Sequence, residues 1–344
     1  MNRKTIALIV LNLAAAAAVG LIVGLFYKYV LSDEETSAPQ EENAVYIESV
    51  RSQESGPEPL RDSIASVIAG EDAVVGVAAV FSDGDTLVLV DSSGYTGDLH
   101  ASMKAVSGLD DAFPMMSVMK FHQALAVCGW LRENGLSLDA EVKVTPDMLA
   151  EDTWSPMRDE HPLGGSFSWR ELLTYTLAFS DNNACDILFS LTGGPEYTDG
   201  VVRFLSSGDF HIECTEADMH AAPSACLRNW TTPLSAVLLL EKFHIAGYYD
   251  SIWTVMSGCR TGMSRIPARI SGKASEIIHK TGTGDRTPDG RQTAINDIGI
   301  VVLPDGSHFS LAVFVFDAAC SPERCEEIIA GIAGAVYARA EGAI

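Results

Sequence analysis

The stretch Phe113-Pro114-Met115-Met116-Ser117-Val118-Met119-Lys120 decides how the rest of the chain is read. A proline suits the first turn of a helix, so Phe113-Pro114 looks like the start of one and sets Ser117 at a helix N-terminus. Backbone N–H groups and the macrodipole there favour a developing negative charge. Lys120 follows three residues on, on the same helical face and within reach of the Ser117 hydroxyl. Serine is a poor nucleophile at its own pKa and needs a base, a role a desolvated lysine can fill. His122 points elsewhere on such a helix and reads as structural. An S-x-x-K string is expected about once by chance in a chain this long, so its meaning rests on its surroundings.

Working outward, Ser168-Trp169-Arg170-Glu171 has capping-box form ahead of an apolar helix, Leu172 to Phe179. Ser180-Asp181-Asn182 follows that helix. The hydroxyl can relay a proton to a leaving nitrogen and the Asn182 amide can hold a substrate amide, although alone the string reads as a polar loop or N-cap. Farther on, Glu216 precedes His220 by four residues. Lys280-Thr281-Gly282 ends a strand and is followed by Thr283. The lysine supplies a positive field, Thr281 a hydroxyl for a carboxylate, and Gly282 lets a substrate approach the backbone. The N–H of Thr283 would complete an oxyanion hole with that of Ser117. A zinc site at His211, Glu216 and His220 matches no H-E-x-x-H helix, and serine with lysine needs no metal or other cofactor, so none is expected.

Around these strings the hydrophobic pattern changes period. Leu60 to Ala69 reads as a helix, and Val74–Phe81 and Thr86–Val90 as strands joined by Ser82-Asp83-Gly84-Asp85. Helical patterns dominate from about Phe113 to Phe243. Ile277–Thr281, Ile295–Leu303 and Phe309–Phe316 read as strands, and Pro322 to Arg339 as a closing helix. Strands at both ends with helices between imply an α+β fold: an antiparallel sheet flanked by helices, with an all-helical subdomain inserted at about residues 113–265.

Before the body, Arg3 and Lys4 precede an apolar run from Ile6 to Val30. That length fits a spanning helix of about 20 residues better than a secretory core of about 7–15. Residues 1–31 therefore read as a signal anchor, with a cleaved signal peptide as the alternative, and either exports the body. Residues 32–59 are acidic and polar with Pro39, Pro57 and Pro59, and read as a disordered tether. The body then runs over residues 60–344. A net charge of −23 disfavours nucleic acid, whose phosphates would be repelled, and none is expected as a partner. Seven cysteines in an exported chain permit disulfides; a Cys214–Cys226 bond would close a loop around Glu216. Cys320 and Cys325 are close in sequence, and Cys128 and Cys185 read as buried small hydrophobes.

Taken together, these strings resemble a class A serine β-lactamase from Leu60 to the C-terminus. Leu172-Leu173-Thr174 before Ser180-Asp181-Asn182-Asn183-Ala184, then Gly193-Gly194-Pro195, and Asn296-Asp297-Ile298-Gly299-Ile300 are also family-like. Most of that family carries Asn four residues after the deacylating glutamate. His220 in its place, with Arg228-Asn229-Trp230-Thr231, is similar to the PER-type extended-spectrum branch and its Bacteroidetes relatives. The resemblance implies the serine β-lactamase/D,D-peptidase-like fold and a monomeric periplasmic hydrolase, tethered to the inner membrane, acting on small-molecule β-lactams. It makes Ser117 the nucleophile, Lys120 or Glu216 the acylating base and Ser180 the proton relay, with Glu216 activating the deacylating water. Asn182, Lys280 and Thr281 would bind substrate, and His220 would help hold the loop. Trp154-Ser155-Pro156 falls where the family places an aromatic at the cleft mouth, with a core tryptophan equally open. A cephalosporin preference is expected. A penicillin-binding D,D-peptidase and a β-lactam sensor that stays acylated are the competing readings; Glu216 separates them from a lactamase.

Overall fold

The computed structural model describes residues 57–206, 208–246 and 249–344. The signal segment and the tether up to residue 56 lie outside the described residues. The chain forms ten strands there: β1 Val74–Phe81, β2 Thr86–Asp91, β3 Phe113–Pro114, β4 Glu141–Val144, β5 Gly165–Ser168, β6 Phe210–His211, β7 Trp230–Thr231, β8 Glu276–Thr283, β9 Gln292–Val302 and β10 His308–Ala318. Five of them make an antiparallel sheet in the order β2-β1-β10-β9-β8. Val74 lies opposite Phe316, so the first and last parts of the described residues close one sheet.

Every residue of β1 is buried, because the sheet is covered on both faces. Alternation divides them. Val75, Val77, Ala79 and Phe81 join a core with Leu60 and Ile64 of the helix Glu58–Ile68, and with Ile328, Ile332 and Val336 of the closing helix Pro322–Ala340. Val74, Ala78 and Val80 face a second core shared with the helical region. In that region the helix Met119–Glu133 is buried at every residue from Met119 to Val127, as expected of a helix enclosed on all sides. The capping box at Ser168 and Glu171 forms as expected, opening the helix Trp169–Ala178.

Phe113-Pro114 does not start a helix. It is a short strand pairing with β7 in a three-stranded sheet ordered β3-β7-β6. The cause is the destination of Phe113, whose ring stacks on Phe314 at 5.5 Å. Gly76 of β1 makes room: a Cβ there would lie 2.4 Å from the Phe113 ring. Proline is tolerated in an edge strand, where its missing N–H costs little. The helix begins later, after a 3₁₀ turn at Met116–Val118 that carries Ser117.

Candidate active site

Ser117 leaves that turn with its hydroxyl donating to Glu216 Oε1 at 3.2 Å. The same oxygen lies 2.9 Å from Lys120 Nζ. Lys120 is fully buried and also donates to the Ser180 carbonyl at 2.8 Å and to Asn182 Oδ1 at 2.6 Å. Its three N–H donors are thus matched by three acceptors. Lys280, equally buried on β8, donates to Ser180 Oγ at 2.9 Å and to the Thr281 carbonyl at 2.8 Å. Burial, reinforced by the Lys120 charge, pulls the Lys280 ammonium down to about 7. Six of the residues picked out in the sequence (Ser117, Lys120, Ser180, Asn182, Glu216 and Lys280) therefore form one hydrogen-bonded network.

Backbone strain helps to aim it. Ser180 and Met116, the residue before the serine, adopt left-handed φ values of 57° and 48° that cost a non-glycine residue energy. Asp181 is the buried cap of the helix Asn182–Thr192 and accepts from Ala184 N at 2.8 Å and Met157 N at 2.7 Å. That capping fixes Asn182 at the first helical position, and its Nδ2 donates to Thr153 Oγ1 at 2.8 Å. Asn296 of β9 donates to the Pro114 carbonyl at 2.8 Å, tying the approach to Ser117 onto the sheet.

β8 is an edge strand, and its outer side faces the turn that carries Ser117 rather than another strand. Gly282 is needed there for closeness: a Cβ would meet the Met115 carbonyl oxygen at 2.5 Å. Thr283 is exposed at the strand end, and its Oγ1 accepts from Arg265 Nη2 at 2.7 Å. Trp154 is 61 % exposed, which places it on the surface and not in the core. Its indole donates to the Phe179 carbonyl at 2.9 Å, and its own carbonyl accepts from Asn182 N at 3.0 Å, so the exposed ring sits beside the Asn182 segment.

Comparisons with known proteins show the family to which this fold belongs. A model of the "Beta-lactamase enzyme family" matches residues 89–340. A β-lactamase of Bacteroides uniformis is 35% identical over 285 residues, 81% of this chain and 90% of that protein. The chain belongs to the class A β-lactamases. The extended-spectrum β-lactamase PER-1 of Pseudomonas aeruginosa is 32% identical over 285 residues, 81% of this chain and 86% of that one. The crystal structure of a class A β-lactamase from Bacteroides cellulosilyticus superposes with a TM-score of 0.71 at 32% identity, covering 81% of this chain and 96% of its own. The protein is a β-lactam hydrolase with the antiparallel-sheet architecture of that family.

In this β-lactamase several residues to which the sequence reading gave no role hold the site. Asp186 accepts from the Glu216 and Ala217 N–H groups, each at 2.8 Å. Burial pushes its carboxyl up to about 6 against the pull of those two donors. Asn229 Oδ1 accepts from Glu213 N at 2.8 Å and Cys214 N at 2.9 Å, and its Nδ2 donates to the Cys214 carbonyl at 2.8 Å. Asp186 and Asn229 thus anchor the glutamate segment, while the His220 side chain is exposed. Arg265, 5% exposed, donates to the carbonyls of Gly282 at 3.0 Å and Asn296 at 2.9 Å. Arg291 pairs with Asp72 and Asp317, each at 2.9 Å. All seven cysteines are free thiols, so the Cys214–Cys226 bond is not formed. Hydrogen bonds from Asn229 and Asp186 restrain that loop in its place. His211 lies 3.4 Å from Asp199 and 3.6 Å from Glu213, and among the described residues no cluster of His, Cys, Asp and Glu is arranged to hold a metal.

Proposed function

We propose that hydrolysis proceeds through an acyl-enzyme on Ser117. The observation that carries this reading is a single carboxylate oxygen, Glu216 Oε1, within reach of both the Ser117 hydroxyl (3.2 Å) and the Lys120 ammonium (2.9 Å). Ser117 Oγ attacks the lactam carbonyl, and the N–H groups of Ser117 and Thr283 stabilise the oxyanion. Glu216 takes the serine proton, directly or through a water. Lys120 directs its three donors at acceptors, has no lone pair aimed at the serine, and stabilises the charge developing around it. Ser180, fixed by Lys280 at 2.9 Å, passes a proton to the departing nitrogen. Lys280 and Thr281 take the substrate carboxylate, and Asn182 its acylamino group. Glu216 then activates the water that releases product, with His220 at the edge of its segment.

Likeness to a protein named as an extended-spectrum β-lactamase supports a range that includes cephalosporins. The N-terminal apolar run supports a body held in the periplasm on the inner membrane, and we take that body to be a monomer. N-terminal sequencing of protein recovered from fractionated cells tests that placement; a chain beginning past residue 31 would mean a cleaved signal.

Intact-protein mass during turnover of a chromogenic cephalosporin tests the mechanism. Ser117→Ala should lose all covalent labelling. Glu216→Gln should still acquire one adduct but turn over about 10²–10⁴-fold more slowly, the usual worth of a positioned base. Hydrolysis at the parent rate would remove Glu216 from deacylation. A long-lived adduct on the parent protein would favour a penicillin-binding peptidase or a sensor.

A further inference from the structure

A second group of reactive side chains lies along β8, outside the hydrolytic network. His279 and Thr281 share one face of the strand by its two-residue alternation. Asp297, opposite Thr281 on β9, holds His279 Nδ1 at 3.0 Å and is itself fixed by Ile266 N at 3.1 Å. The Cys259 thiol is the neighbour of that imidazole, and each shifts the other's ionisation. Asp297 is fully buried, with His279 2% and Cys259 7% exposed. A carboxylate that orients an imidazole, which contacts a thiol, is the arrangement that turns cysteine into a nucleophile.

The thiol is also wired to the active site. Cys259 Sγ lies 3.4 Å from Thr261 Oγ1, which lies 2.7 Å from Thr281 Oγ1. Packing there is tight: a Cβ on Gly262 would meet Thr281 Cγ2 at 2.4 Å. Gly258 and Arg260, on either side of Cys259, line a cavity of about 730 Å³ with Arg170, Thr174 and Asp250. Burial pushes the thiols of Cys128, Cys185, Cys214 and Cys226 up. At Cys259 burial also opposes ionisation, but the neighbouring His279, with the Lys280 charge, outweighs it and brings the thiol down to about 7. Cys320 is shifted the same way, by its 3.5 Å contact with Cys325.

We propose that Cys259 is a covalent modification site for small disulfides and related sulfur electrophiles, and that its occupation weakens substrate binding by displacing Thr261 from Thr281. The Cys259 thiolate attacks one sulfur of the reagent; the new S–S bond forms as the old bond to sulfur breaks, and the electron pair departs with the leaving thiolate or sulfinate. The proton lost by Cys259 rests on His279 and can pass to that leaving group. No further oxidant is needed. The effect on binding rests on the reading of Thr281 as a carboxylate contact.

The full-length protein is treated with methyl methanethiosulfonate without denaturant, mapped by peptide mass, and assayed before and after addition of dithiothreitol. Cys259 should be modified about 10-fold faster than Cys128, Cys185, Cys214 or Cys226, in keeping with its greater thiolate character. KM should rise about 3- to 10-fold, the worth of one hydrogen bond, with kcat little changed and the effect reversed by the thiol. Cys259→Ser should keep activity and lose sensitivity, whereas Cys320→Ser should stay sensitive. A Cys259 left unmodified, or a Cys259→Ser variant inhibited like the parent, overturns the proposal. Modification with unchanged KM overturns the coupling to Thr281. Ser117 labelling by a β-lactam, followed in parallel, shows independently whether the acyl-enzyme reading stands.

Discussion

Asn229 satisfies two backbone N–H groups and one carbonyl with a single side-chain amide, and none of these partners is within ten residues of it. Replacing it with alanine strands the buried Cys214 N–H and the part-buried Glu213 N–H, at a cost of about 1–3 kcal/mol. Asn229→Ala should therefore lower the urea midpoint and, by loosening the segment that carries Glu216, leave more standing acyl-enzyme in the mass spectrum. An unchanged midpoint would mean that Asp186 alone fixes the loop. Lys280 gives a second expectation at this scale. Its folded pKa of about 7 lies below the ordinary lysine value of 10.5, so the charged form is present below about 7 and is lost as pH rises through it. Because kcat/KM reports the free enzyme, it should fall above about pH 7 for substrates that bear a carboxylate. A substrate lacking the carboxylate should show no such limb.

At the scale of elements, the active site is a junction between an edge strand, a 3₁₀ turn and a capped helix. β8 can lie against the turn before Ser117 only because Gly282 has no side chain. Gly282→Ala would place a Cβ 2.5 Å from the Met115 carbonyl oxygen, and the strand must move away. We expect kcat/KM to fall about 10- to 100-fold, since small misplacements of reacting groups are costly, with circular dichroism unchanged. Parent-like kcat/KM would show that β8 tolerates the shift. The elements themselves were largely legible: the Ser168 capping box, the β1–β2 hairpin and the last three strands follow from local spacing and alternation. Phe113-Pro114 was not. A proline before an apolar run carries the same local pattern whether it opens a helix or ends an edge strand, and stacking of Phe113 on Phe314 across the sheet decided between them.

Across the whole molecule, one sheet separates two cores with different duties. One joins the first and last parts of the described residues through the helices Glu58–Ile68 and Pro322–Ala340; the other packs the helical region that carries Ser117. Ile64 and Ile332 lie in the first core, both fully buried. Ile64→Ala or Ile332→Ala should cost about 2–5 kcal/mol of stability while leaving kcat/KM at low temperature near the parent value. A loss of activity at a temperature where the variant is fully folded would show that the two cores are coupled.

The sequence by itself determined the α+β class and the extent of most strands and helices, and it brought forward Ser117, Lys120, Lys280 and Glu216, which the fold gathers into one network. Those properties reside in side-chain periodicity and short spacings, which are local. Only the tertiary structure decided that Glu216 Oε1 meets a serine 99 residues away, that Asp186 and Asn229 hold the glutamate segment, that Arg265 braces the end of β8, and that Asp297, His279 and Cys259 line up behind Thr281. These contacts join residues whose own neighbours in sequence carry no sign of them. They exist because closing one sheet from the first and last parts of the described residues brings the helical insertion against its edge strand.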